Sequence, residues 1–87
     1  MMEIVWTEKA WEDFQHWKKS DAKKVERIKK LLENIQDTPH AGLGKPEPLK
    51  FNLSGMWSRR IDSHNRLIYR VTNNKIEILA CRYHYYK

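Results

Sequence analysis

Glu47 is the residue whose neighbours best equip it to act as a base. It lies in Lys45-Pro46-Glu47-Pro48-Leu49-Lys50. Pro46 has a fixed φ, and Pro48 pushes Glu47 itself into an extended conformation. The carboxylate therefore hangs on stiff backbone, which is what a positioned base requires. An ordinary rigid loop carrying a solvated glutamate would look the same, and composition alone leaves both readings open.

Two further groups could complement such a base. Arg66 opens a predicted strand, with Arg59 and Arg60 across the turn before it. Guanidinium forks suit phosphate oxygens, and several together could hold a phosphate whose charge grows in a transition state. The alternative is surface arginines neutralised by Asp62 and Glu77. His84 sits in Arg82-Tyr83-His84-Tyr85-Tyr86-Lys87. Imidazole titrates near neutrality and can give or take a proton, although a histidine this close to a terminus can equally be idle. Its flanking tyrosines could stack on bases or simply pack. Taken together, a carboxylate, clustered guanidiniums and an imidazole are the parts needed to cleave RNA by internal transfer from the 2′-hydroxyl.

The charge distribution points the same way. Of the net +6, all lies in residues 45–87, with nine Lys/Arg against three acids. Residues 1–44 carry eight of each. A concentrated basic surface indicates a polyanionic partner. The single Cys81 excludes an internal disulfide framework, and its apolar surroundings indicate a buried, inert thiol. His16, His40, His64 and His84 are scattered singly, so neither a metal site nor a cofactor is expected. The chain opens Met1-Met2-Glu3-Ile4, without a secretory leader pattern or a run long enough to span a bilayer. Cytoplasm is the expected compartment, with no membrane partner.

The elements that must position these groups can be read from periodicity. Eighty-seven residues predict a single domain over 1–87. Glu3 to Trp6 reads as a strand. Thr7 is a candidate N-cap for a helix from Glu8 to Lys19, with Ala10, Phe14 and Trp17 on one face. Ser20 or Asp21 restarts the chain, and Val25, Ile28, Leu32 and Ile35 mark a second amphipathic helix ending before Pro39. Lys23, Lys24, Lys29 and Lys30 lie off that stripe; they could bind phosphate, but a solvated helix face is the ordinary reading of such a set. His40 to Pro48 reads as a loop. The period then switches to two: Met56–Asp62, Arg66–Thr72 and Lys75–Tyr83 are predicted strands, with an Asn73-Asn74 hairpin. Leu67, Tyr69 and Val71 share one face of the middle strand, and Arg66, Ile68 and Arg70 the other. Trp57, Arg59 and Ile61 alternate with Arg60, which is placed with Arg66. The last strand, apolar on both faces, belongs inside the sheet. The order β-α-α-β-β-β predicts an α+β fold, with two N-terminal helices on one face of an antiparallel sheet and the other face open.

The motifs Lys45-Pro46-Glu47-Pro48-Leu49-Lys50, Asn52-Leu53-Ser54-Gly55, Trp57-Ser58-Arg59-Arg60-Ile61, His64-x-Arg66-Leu67 and Ala80-Cys81-Arg82-Tyr83-His84-Tyr85 resemble the YoeB/Txe toxins of the RelE-like (RelE/ParE) superfamily. The resemblance extends through Trp6, Trp11 and Trp17 and leaves only Tyr86-Lys87 as an extension. Phe51 after Lys50 and Asn65 before Arg66 are minor departures. The resemblance implies a microbial-ribonuclease-like fold and the toxin half of a type II toxin–antitoxin system. It further implies a metal-independent, ribosome-dependent endoribonuclease that cuts mRNA in the ribosomal A site. By matching motif positions, Glu47 would be the general base, His84 the general acid and Arg66 the phosphate-stabilising cation. Lys50, Arg60 and Tyr85 would hold or orient substrate. The implied partners are mRNA and rRNA on the ribosome, an acidic antitoxin of the YefM/Axe type, a second copy of the chain, and operator DNA only as the toxin–antitoxin complex. Two competing expectations are a non-catalytic ParE-like toxin that inhibits gyrase and a plain nucleic-acid-binding module.

Overall fold

A computed structural model describes residues 1–83; His84 and Tyr85 lie outside the described residues. The elements run β1 (Glu3–Trp6), α1 (Glu8–Ser20), α2 (Ala22–Asp37), β2 (Glu47–Pro48), β3 (Trp57–Arg60), β4 (Arg66–Thr72) and β5 (Lys75–Ala80). The sheet order is β1-β5-β4-β3-β2.

Both helices start where their caps dictate. Thr7 Oγ1 accepts from the Ala10 amide at 3.1 Å, and Asp21 Oδ1 accepts from the Lys23 amide at 3.0 Å. Each thereby satisfies an amide that a helix terminus leaves without an intrahelical partner. Ala10, Phe14 and Trp17 of α1 are buried against Val25, Ile28, Leu31, Leu32 and Ile35 of α2 and against Leu67, Tyr69, Ile76 and Ile78 of the sheet. The predicted inward sets of both helices and of the middle strand are thus the core. Asn73 and Asn74 close the β4–β5 hairpin at φ 48° and 62°, the left-handed conformation that a two-residue turn of this hand demands.

The structure adds two details to the expected antiparallel meander. β1 pairs with β5 in parallel, Glu3 opposite Lys75 through Trp6 opposite Ile78, so the sheet is mixed and β5 is internal. The predicted loop also contributes a two-residue edge strand, β2, pairing Glu47 with Ser58 and Pro48 with Trp57. The Leu49 amide bonds the Met56 carbonyl at 2.9 Å. Alternation along an antiparallel ladder then leaves Pro48 at a position that needs no donor, where an edge-strand proline is tolerated.

β5 stops at Ala80 rather than Tyr83 because the chain is diverted into α1. The Cys81 amide donates to Asp13 Oδ2 at 3.0 Å, and Trp17 Nε1 donates to the Cys81 carbonyl at 2.7 Å. Cys81 is fully buried. Burial pushes its thiol up to about 12, with the Asp13 carboxylate adding and Lys9 opposing, so the thiol is inert as expected.

Candidate active site

The site is built by strand register on the sheet face opposite the helices. Glu47 stands opposite Ser58, Ser58 opposite Ile68 and Arg60 opposite Arg66. Directly opposed residues share a face, so Glu47, Arg60 and Arg66 project from the same side in two adjacent rows. The Arg60 amide donates to Gly44 O at 2.7 Å, and the Arg66 amide donates to Tyr83 O at 2.9 Å. Neither amide points at the other's strand, so Arg60 and Arg66 form a non-hydrogen-bonded pair, the kind with Cα atoms only about 4.5 Å apart. From strand spacing and rise, Glu47 and Arg66 are about 12 Å apart at Cα, a span that two long side chains and a phosphate can bridge.

Two guanidiniums at directly opposed positions repel one another. Such a local conflict on an otherwise consistent sheet is the kind expected at functional or strained positions, and it makes this pair a candidate anion site. Arg66 is buried, and its Nη1 donates to the carbonyls of Asp62 at 3.0 Å and Asn65 at 3.3 Å. These bonds hold the guanidinium at the β3–β4 turn. Arg60 is exposed; its carbonyl accepts Arg27 Nη2 from α2 at 3.0 Å. Lys50 is also exposed and N-caps a 3-10 turn, Phe51–Leu53, directly after β2.

The turn itself is fixed by Asp62. Its Oδ1 accepts the amides of His64 and Asn65, both at 2.7 Å, and its Oδ2 pairs with Lys24 at 2.8 Å. Desolvation raises the pKa of this carboxyl, but the bonds from Lys24, Asn65 and His64 outweigh it and hold the group well below the usual carboxylate range. The bond to Asp62 raises Lys24 in turn, against the opposing effect of its burial. Asp62 is therefore neutralised by a lysine of α2 and not by an arginine, while Arg70 does pair with Glu77, at 2.8 Å. Lys24 consequently leaves the solvated set expected for the α2 lysines. Lys23 and Lys30 instead flank a groove of about 370 Å³ with Ala22, Glu26 and Arg27.

The structure corrects the reading of Arg59 as a phosphate ligand. Its side chain is 0% exposed, because it alternates with Arg60 and points into the helix side of β3, opposite Leu67. The expected open face also needs amending: Leu49, Ser58 and Ile68 are buried and lie outside the main core cluster.

Phe51 is legible in the sequence only as an unusual neighbour of Lys50. In the structure it is 90% exposed and adopts φ 58°, a left-handed conformation that is costly for a bulky residue. The last described residue, Tyr83, is tied to the same corner as Arg66, since its amide also donates to Asn65 Oδ1 at 2.6 Å. Among the described residues no group of three or more His, Cys, Asp or Glu side chains is placed to hold a metal ion, and no helix is long and apolar enough to cross a membrane.

Two helices against one face of a five-stranded mixed sheet give the α+β architecture of the YoeB and RelE-like toxins. The model of the family described as "YoeB-like toxin of bacterial type II toxin-antitoxin system" matches residues 6–85, and the chain belongs to that family. It is 49% identical over 84 residues to Toxin YoeB of Escherichia coli (strain K12), covering 97% of this chain and all of the relative. The YoeB dimer from Staphylococcus aureus superposes with a TM-score of 0.91 at 42% identity, covering 97% of this chain and 98% of the other. The YoeB–YefM complex from Staphylococcus aureus gives 0.90 at 41% identity, covering 98% and 99%.

Proposed function

We propose that this type II toxin is a ribosome-dependent endoribonuclease that cleaves mRNA in the ribosomal A site and so arrests translation. The observation that carries the reading is the register placing Glu47, Arg60 and Arg66 on one sheet face. Glu47 takes the proton of a 2′-hydroxyl, and the 2′-oxygen attacks the adjacent phosphorus. Arg66 and Arg60 stabilise the charge that accumulates on the phosphate oxygens. The bond to the 5′-oxygen breaks, and His84 donates the proton that oxygen requires. The products are a 2′,3′-cyclic phosphate and a 5′-hydroxyl. Lys50 and Tyr85 hold the substrate strand, and the ribosome supplies orientation that a small sheet face does not.

The partners follow from similarity and charge. The relatives that form a dimer and a complex with YefM support a second copy of this chain and an acidic YefM-type antitoxin as partners. Operator DNA would be bound only through the toxin–antitoxin complex, and the cytoplasm is where such a toxin meets ribosomes.

In-vitro translation with primer extension on the mRNA tests the activity. Arrest with cuts at codon-defined positions is expected. Arrest without cuts, or DNA breaks in cells, would replace this reading with a gyrase-directed or purely binding toxin.

A further inference from the structure

All five N–H donors of Arg59 are engaged, and none by a carboxylate. Nε donates to the Tyr69 hydroxyl at 3.1 Å. Nη1 donates to Asn34 Oδ1 at 2.5 Å and to the Leu43 carbonyl at 3.0 Å. Nη2 donates to the carbonyls of Thr38 at 2.6 Å and Ala41 at 2.9 Å. Tyr69 in turn donates to the Pro39 carbonyl at 2.7 Å. A guanidinium carries five donors in a rigid fork, so this one is saturated by a cage of neutral oxygens. The cage forms at the C-terminal end of α2, where the helix dipole favours a cation. Leaving any of these groups unpaired in the interior would be costly, so the cage holds one arrangement of residues 38–43.

That loop leads directly to the candidate base. After Leu43, Gly44 turns at φ 84°, packed so closely that a Cβ there would meet Leu31 Cδ2 at 2.8 Å and Arg59 Cβ at 3.2 Å. The Gly44 carbonyl accepts the Arg60 amide at 2.7 Å. Lys45 follows at φ 53°, and then Pro46 and Glu47. Only three residues separate the cage from the carboxylate, one of them proline. We infer that Arg59 is a positioning residue: from inside the core it locks the 38–44 segment and thereby sets where Glu47 stands on the opposite face of the sheet. Backbone of β3 carries the second half of the link, because Arg59 and Arg60 are consecutive and Arg60 anchors Gly44. The inference rests on the reading of Glu47 as the base.

A double-mutant cycle on ribosome-bound mRNA cleavage tests it, at a temperature where circular dichroism shows each variant folded. Arg59→Lys keeps the charge but replaces the fork with a single nitrogen. It is expected to slow single-turnover cleavage about 10- to 100-fold, the usual effect of a misplacement on the order of an ångström, with the half-saturating ribosome concentration unchanged. In a Glu47→Ala background the same substitution is expected to change the residual rate less than about 2-fold, since residues acting as a unit are not additive. An equal factor in both backgrounds, or no slowing by folded Arg59→Lys while Glu47→Ala is impaired, would overturn the role of Arg59 alone. Full activity of Glu47→Ala would overturn the proposed mechanism and this inference with it. If Arg59→Lys does not fold, Asn34→Ala, which removes one of the five acceptors, takes its place in the cycle: slowing that disappears in the Glu47→Ala background supports the inference, and an equal factor in both backgrounds overturns it.

Discussion

The amide of Arg66 donates to the carbonyl of Tyr83 at 2.9 Å, tying the first residue of β4 to the end of the described chain. Through this bond the diversion of the chain after Ala80 is directed to the arginine proposed to meet the scissile phosphate. Tyr83 is thereby held at the Arg66 corner, while His84 enters the proposed mechanism as the acid through its position in the family-like motif Ala80-Cys81-Arg82-Tyr83-His84-Tyr85.

Glu47→Ala and Arg66→Ala are each expected to lower mRNA cleavage well over ~10-fold, each further ~1.4 kcal/mol of lost transition-state stabilisation adding another factor of ten. Primer extension over a time course measures both. Near-wild-type cutting by either variant would remove that residue from the mechanism.

Asp62 should make stability pH-dependent in a defined direction. Its folded pKa lies below the ordinary value. The stabilisation is therefore complete above the unfolded pKa of about 3.9 and is lost as pH falls through that value toward the folded one. Asp62→Asn is expected to lower Tm at neutral pH, with the gap from wild type narrowing as pH drops below about 4. A gap that stays constant down to the acid limit would contradict the assigned role of the Lys24–Asp62 pair.

Phe51 offers a test of backbone strain. At φ 58° glycine fits without penalty, whereas alanine retains a left-handed cost on the order of 1 kcal/mol. Thermal unfolding should rank Phe51→Gly above Phe51→Ala, the reverse of the order expected at an ordinary exposed position. If alanine proves the more stable, residue 51 does not occupy this conformation in solution.

The lysines of α2 should divide into two kinds. Lys24 is tied to Asp62, while Lys23 and Lys30 flank the basic groove. If that groove meets rRNA, removing Lys23 and Lys30 together should flatten the salt dependence of ribosome binding, each lost phosphate contact lowering the log–log slope by roughly one. Lys24→Ala should act mainly on Tm. Equal salt slopes for wild type and the Lys23/Lys30 double variant would leave the groove without a role in binding.

Much of the architecture is legible in the sequence because its signals are local. Thr7 announces a cap, Ala10-Phe14-Trp17 a helical stripe and Asn73-Asn74 a tight hairpin, and each is where its chemistry requires. Glu47, Arg60 and Arg66 fall on one face once the strands of the sheet are paired, and period two alone already places Arg60 with Arg66. Long-range choices are not legible. The parallel pairing of β1 with β5 depends on where two helices return the chain. The two-residue β2 is too short to leave a period. Arg59 misleads for a physical reason: its alternation with Arg60 places it inward, yet a buried guanidinium looks prohibitive until the five oxygens that receive it are known. Those oxygens come from Asn34, Thr38, Ala41, Leu43 and Tyr69, which no local pattern brings together.

The central claim is that this sheet face cleaves RNA through the 2′-hydroxyl. A ribosome-bound mRNA carrying one 2′-deoxynucleotide at the cut position, compared with the unmodified message, tests it most directly. The unmodified message is predicted to be cut to a 2′,3′-cyclic phosphate and a 5′-hydroxyl, with the deoxy message left intact at that position. Cutting of both messages at the same rate would contradict the claim.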